Sequence, residues 1–249
     1  MKLSIQNATV TTDSNQVVTD ASLAMESGKV HVIMGPNGSG KSSLVNAIMG
    51  HPQYQLASGR VSIDGEDITD ASPDKKAKKG IFLSQQYLPE IAGVTLGNFL
   101  YQSVKAVKEI DESILSFYKT LGEKVEAIGI NKEFLSRELN TDLSGGEKKQ
   151  SEIIQLLALE PAFALLDEID SGVDVDSLNK VFAGIEKLRK GVSSEASAKE
   201  GTGFVLITHY TDILNKITPD KVHVMKGGKI VESGGKELVE RIKEKGFEN

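Results

Sequence analysis

Gly35-Pro36-Asn37-Gly38-Ser39-Gly40-Lys41-Ser42 decides how the chain is read. It fits G-x-x-x-x-G-K-[ST], the pattern of a loop that wraps a phosphate chain. The apolar run Val30-His31-Val32-Ile33-Met34 before it reads as a buried strand, and Ser43 to Met49 after it has helical composition, closed by Gly50. Strand, glycine loop and helix in that order is the context the pattern needs. Glycines let successive backbone N–H groups turn onto phosphate oxygens, and a helix start adds partial positive charge. Gly35 through Ser43 is therefore the expected phosphate-binding stretch, with Lys41 reaching the outer phosphates and the Ser42 hydroxyl on Mg²⁺. The expected ligand is a nucleoside triphosphate.

Composition narrows the setting. The 249 residues suffice for a substantial core, and 39% hydrophobic with 26% charged residues is ordinary for a globular protein. A formal net charge of −6 argues against nucleic acid as the partner. With no cysteine, the chain offers no disulfide and no thiolate to a metal cluster. Met1 to Val10 lacks the pattern of an export signal, and no run approaches the ~20 apolar residues of a membrane span. A cytoplasmic protein without direct membrane insertion is expected.

Outward from the loop, apolar strands alternate with helices, which implies an α/β core with a largely parallel sheet. Lys2–Val10 reads as an edge strand, Val17-Val18 and Leu23–Met25 as two short strands, and Arg60–Ile63 as a strand entering an Asp64-Gly65 turn. The basic run Asp74–Lys79 reads as a solvated helix surface. Gly80–Ser84, Phe163–Leu166 and Phe204–Ile207 read as buried strands, and Val222–Met225 with Lys229–Val231 as a hairpin around Gly227-Gly228. Helices are expected near Ile153–Leu159, Val175–Arg189 and Lys236–Lys245. Residues from Thr95 to about Asn140 carry no strand signal. The expectation is one domain over 1–249 with a helical subdomain at about 90–160 inserted in the catalytic core. Gly191–Gly203 reads as a surface loop.

A second set of residues narrows the class. Leu143-Ser144-Gly145-Gly146-Glu147 precedes a helix, Asp167-Glu168 closes an apolar strand, and Thr208-His209 closes another. This ordered set resembles the nucleotide-binding subunits of ATP-binding-cassette (ABC) proteins, over essentially the whole chain. The resemblance implies a P-loop ABC-type nucleotide-binding domain, with an antiparallel β-subdomain and a helical subdomain, that hydrolyses ATP with Mg²⁺. It implies that Asp167 holds Mg²⁺ through water and that Glu168 is the general base. Gln86 would be the Q-loop glutamine on Mg²⁺ and water, in preference to its neighbour Gln85, and His209 the γ-phosphate sensor. Ser171-Gly172-Val173-Asp174 matches the loop that communicates between protomers. Ser144 and Gly146 would contact ATP on the opposite protomer, so the implied active unit is an ATP-dependent head-to-tail homodimer.

Within that superfamily, several stretches are similar to the SufC branch, the ATPases of Suf iron–sulfur cluster assembly. They are Met49-Gly50-His51-Pro52 with Tyr54, Gln86 to Val94, Ser144 to Lys149, Leu166 to Gly172, and Thr208-His209-Tyr210. The resemblance implies SufB- and SufD-like scaffold subunits as partners, docked on Tyr87 to Phe99. It also implies that Lys149 pairs with Glu168 in the isolated subunit. Gln150 departs from the family's frequent arginine, and Val17 is the nearest candidate to lie against the adenine. Two other readings remain: the ATPase subunit of a membrane transporter, and a nonhydrolytic ATP-dependent dimerisation module.

Overall fold

The computed structural model describes residues 1–84, 89–109, 111–169, 172–191, 201–208, 214 and 216–246. The chain opens with β1 (Lys2–Thr12) and β2 (Asn15–Glu26), followed by β3 (Val30–Met34) and α1 (Lys41–Met49). Next come β4 (Gln55–Ile63), β5 (Glu66–Asp67), α2 (Pro73–Lys78) and β6 (Ile81–Leu83). A helical stretch follows: β7 (Ile91–Thr95), α3 (Leu96–Lys108), α4 (Ile114–Glu126), a 3₁₀ turn at Lys132–Ser136, β8 (Glu138–Leu139) and α5 (Gly145–Leu159). The chain ends with β9 (Phe163–Asp167), α6 (Val175–Arg189), β10 (Gly203–Ile207), β11 (Lys221–Lys226), β12 (Lys229–Gly234) and α7 (Lys236–Lys245).

Two large sheets and two cores organise these elements. The central sheet runs β12-β11-β3-β10-β9-β6, and all its strands are parallel except the edge strand β12. Because both faces of a parallel sheet are covered, its strands are continuously apolar, and alternate residues enter opposite cores. Val32, Leu166 and Leu206 pack against α3–α6 on one face. Ile33, Leu165 and Val205 pack on the other face against Leu44 and Ile48 of α1 and against Leu3 and Ile5 of β1. Each such side chain, fully buried, contributes roughly 1.5–3 kcal/mol. The antiparallel sheet, β2-β1-β4-β5, covers the outer side of α1.

The structure corrects several expectations. β1 is an interior strand paired on both sides, and the two short strands expected at 17–25 are one strand whose register shifts disguise its length. The helical stretch contains a small antiparallel ladder, with Ile91 opposite Leu139 and Thr95 opposite Glu138, too short to leave a period in sequence. The basic run is helix α2, but Lys76 is not solvated: it is 1% exposed and its Nζ donates to the Thr69 carbonyl at 3.2 Å. Its charged neighbours conceal that burial. The Gly191–Gly203 expectation lies mostly outside the described residues.

Candidate nucleotide site

Parallel register gathers the site at the carboxyl ends of the central strands, where open α/β sheets bind ligands. Ile207 of β10 stands opposite both Ile33 of β3 and Asp167 of β9. Gly35 begins the loop one residue beyond β3, and Glu168 follows Asp167. The Glu168 backbone N–H donates to the Ile207 carbonyl at 3.0 Å, and its φ of 49° is rare for a residue with a side chain. Such a conformation costs on the order of 1–3 kcal/mol and recurs at functional sites.

The loop is held by neighbours that sequence reading did not find. Gly35 has φ 153°, and a Cβ there would land on the Met225 carbonyl of β11, so only glycine fits. Gly228, in the turn between β11 and β12, donates to the Ser39 carbonyl at 3.0 Å and accepts from Thr19 of β2 at 2.8 Å. One turn thus ties the loop to both sheets. The Val17 carbonyl borders Gly40, which puts that residue beside the loop.

Gly40 begins α1 in the left-handed region, φ 100°, with no side-chain cap on the first turn. The first N–H groups of the helix thus have no capping side chain, the arrangement in which a helix start can take an anion. Lys41 is 4% exposed, and its Nζ donates to the carbonyls of Gly35 and Pro36, both at 2.9 Å, and to Ser39 Oγ at 3.4 Å. Burial lowers its pKa, while the Asp167 and Glu168 carboxylates oppose that shift. Asp167 is 2% exposed, and burial raises its carboxyl above the usual range despite a hydrogen bond from Ser42. The adjacent Glu168 charge raises it further, and Lys41 and Lys149 lower it. Among the described residues, Asp167 Oδ1 is buried with no hydrogen-bond partner. A buried acceptor is costly to leave unmade. An orphaned carboxylate oxygen beside a serine hydroxyl fits a hard, oxygen-seeking divalent cation.

Ser144 and Gly146 form a second cluster, at the start of α5. The Ser144 side chain accepts from the Glu147 N–H at 3.3 Å, and Glu147 accepts from the Ser144 N–H at 2.9 Å. Ser-x-x-Glu is the sequence pattern that could have shown this capping box. Arg137 ion-pairs with Glu147 behind it. A Cβ on Gly146 would lie 2.5 Å from both Asp174 Oδ2 and Ser177 Oγ, so this glycine lets the starts of α5 and α6 touch. Asp174 caps α6 through the Ser177 N–H at 2.9 Å. Lys149 pairs at 2.8 Å with Glu152 one turn along α5, rather than with Glu168 as expected. Gln86, Ser171 and His209 lie outside the described residues, as do Gln85, Tyr87 and Leu88.

Strand-borne carboxylates facing a glycine loop, with a serine-capped helix on a separate segment, define a P-loop nucleotide-binding cassette. A family model described as ABC transporter matches residues 18–171. Vegetative protein 296 of Bacillus subtilis (strain 168) is 42% identical over 248 residues, 99% of this chain and 92% of its own length. A "Probable ATP-dependent transporter" of Synechocystis sp. is 42% identical over 99% of this chain and 94% of its own. The nucleotide-free ATP-binding cassette of an ABC transporter superposes with a TM-score of 0.78 at 25% identity, covering 98% of this chain and 96% of that one. This chain belongs to the ABC transporter family, as an ATP-binding cassette that hydrolyses ATP. A nonhydrolytic module is thereby set aside.

Proposed function

We propose that this ATPase drives a Suf-type iron–sulfur cluster assembly complex, moving SufB- and SufD-like scaffold subunits by ATP-dependent head-to-tail dimerisation. The reading of the chemistry rests above all on the orphaned Asp167 oxygen beside Ser42. Ser42, Asp167 and Gln86 would hold Mg²⁺ together with phosphate oxygens, and the cation would neutralise charge on the transferring phosphoryl group. Lys41 exchanges the Gly35 and Pro36 carbonyls for phosphate oxygens, and the α1 N–H groups cradle the chain of phosphates. Glu168 takes the proton of the attacking water, and His209 holds the γ-phosphate end. Ser144 and Gly146 close the site of a second copy, so each site needs two chains. Glu168→Gln tests the base: nucleotide binding should survive and most turnover should be lost, and near-normal turnover would remove Glu168 from that role.

The Suf assignment rests on the motif register described above and on a chain without cysteine, which leaves thiolate chemistry to the scaffold. We place the helical subdomain at about 90–160 and the docking surface on Tyr87 to Phe99. There, Pro89, Glu90, Ala92 and Gly93 are exposed, and Ile91 is 40% exposed despite being apolar. No described helix is long and apolar enough to cross a membrane, and we place the protein in the cytoplasm. A second reading, the ATPase subunit of a membrane transporter, is favoured by Streptococcus pyogenes relatives named "Probable ABC transporter ATP-binding protein" that are 42% identical. Affinity purification with mass spectrometry of co-purifying chains separates the two. Iron–sulfur scaffold subunits support the first reading, and a polytopic membrane protein overturns it in favour of the second.

A further inference from the structure

Helix α5 is buried on every side from Gln150 to Ile154, although three of those five residues are polar. Buried polar groups persist where they are bonded, and each of these three reaches a different part of the fold. Gln150 Nε2 donates to Ser177 Oγ at 3.0 Å, on the first turn of α6 beside its Asp174 cap. Ser151 Oγ donates to Asn140 Oδ1 at 3.1 Å, and Asn140 Nδ2 donates in turn to the Pro89 carbonyl at 3.0 Å. Glu152 Oε1 accepts from Ser84 Oγ at 2.5 Å, while its Oε2 pairs with Lys149 at 2.8 Å. Ser84, Ser151 and Asn140 are each no more than 3% exposed.

Ser84 and Pro89 flank residues 85–88, the stretch that contains Gln86. Both flanks are therefore tied to one turn of the helix whose first residues carry Ser144 and Gly146. The same turn also grips the start of α6. We propose that Gln150, Ser151 and Glu152 are positioning residues for ATP hydrolysis. They make the α5 start, the two flanks of 85–88 and the α6 start move as one unit. The inference builds on the roles given above to Gln86, Ser144 and Glu168. Apolar packing alone tolerates sliding between helices, whereas buried directional bonds of this kind fix one register. Glutamine at position 150 then has a use of its own: a neutral amide satisfies Ser177 without bringing a further cation into the packing.

Ser84→Ala and Ser151→Ala each delete one hydroxyl from the full chain without adding bulk. In steady-state assays with MgATP, kcat should fall about tenfold, the size expected for losing one buried bond of this kind. KM for ATP and the affinity for a nonhydrolysable analogue should stay within about twofold. Ser84→Thr, which keeps the hydroxyl, should recover kcat. Hydrogen exchange should rise together in residues 81–84, in 89–95 and in 145–149, and stay unchanged in β1 and β2. Exchange confined to the mutated element, or a kcat within about twofold of wild type in folded Ser84→Ala and Ser151→Ala, overturns the proposal. So does a fall in rate that only tracks the fraction unfolded, measured by circular dichroism on the same samples. Glu168→Gln in the same assay separates the levels. If it is inactive while the hydroxyl deletions are normal, only this proposal fails; if it turns over normally, the assignment of the base fails.

Discussion

Acid should unfold this protein through two histidines that play no part in the nucleotide site. His31 on β3 and His223 on β11 stack with ring centroids 5.3 Å apart, and His31 Nδ1 lies 3.1 Å from His223 Nε2. His223 Nδ1 lies 2.7 Å from Ser233 Oγ on β12. Burial holds His31 down to about 4, with Lys221 and Lys29 lowering it and Asp220 and Glu26 opposing them. Burial, the His31 ring and Lys221 hold His223 down to about 3. Above pH 6.5 both rings are neutral in either state and contribute no pH dependence. As pH falls below 6.5 the unfolded chain takes up the protons and the folded chain does not, so stability drains away until the folded pKa values are reached. Two and a half units on His31 correspond to about 3 kcal/mol, and His223 adds about as much by pH 4. Against a typical total of about 5–15 kcal/mol, that loss decides folding.

Urea titrations followed by circular dichroism at pH 7, 5.5 and 4.5 measure the slope. His31→Asn with His223→Gln cannot be charged: Asn keeps an amide where His31 Nδ1 stood and Gln one where His223 Nε2 stood, while the His223 Nδ1 contact to Ser233 is given up. The wild type should lose several kcal/mol across this range, and the double variant should lose most of that dependence. Carboxylates held low by hydrogen bonds, such as Glu147 and Asp174, withdraw their stabilisation mainly at lower pH and leave the window to the histidines. Equal slopes in wild type and variant, or ring titration near pH 6.5 by NMR in the folded protein, would refute the reasoning.

Gly146→Ala should cost about 1–3 kcal/mol, because the new methyl meets Asp174 Oδ2 and Ser177 Oγ at 2.5 Å; an unchanged urea midpoint contradicts this. Lys41→Met should still fold without nucleotide, because losing the buried ammonium's desolvation cost offsets much of the loss of its bonds to Gly35, Pro36 and Ser39. It should also lose the rise in melting temperature that MgATP gives the wild type, about 2.7 kcal/mol at a hundred times Kd, and a full rise in the variant would overturn the role of Lys41. Lys76→Met keeps the buried stem and removes a charge whose pKa burial lowers; its melting temperature should change by only a few degrees, and a collapse would mean the bond to Thr69 is essential.

The parts legible in sequence were those where local chemistry and tertiary role agree. The glycine loop needs its backbone shape wherever it occurs, continuous apolar runs can only be buried strands or helices, and Asp64-Gly65 and Gly227-Gly228 turned hairpins as such pairs do. The signature stretch was expected just before a helix, and Ser144 stands at the start of α5. What stayed hidden depends on partners far along the chain. Nothing local to Gln150, Ser151 and Glu152 marks them as buried, because Ser177, Asn140 and Ser84 are invisible from their position. Lys76 looked solvated for the same reason, and Met225 gave no hint that its carbonyl props Gly35. β7 and β8 are too short to show alternation, and β1 reads as an edge strand because pairing on both sides is a property of the sheet, not of the strand.

The position of β3 also bears on how the molecule is made. Val30 pairs with Phe204, and His31 pairs with Lys221, so both neighbours of the strand that carries the glycine loop come from the last quarter of the chain. On a ribosome adding about 5–20 residues per second, the loop is synthesised on the order of ten seconds or more before those strands exist. During that interval Val30 to Met34 has no sheet to join, and the Met225 carbonyl and Gly228 N–H that shape the loop have not been made. Nucleotide therefore cannot template the emerging N-terminal half. It arrives as a ligand of a finished sheet, and a chain truncated before β11 should emerge with its phosphate loop unformed.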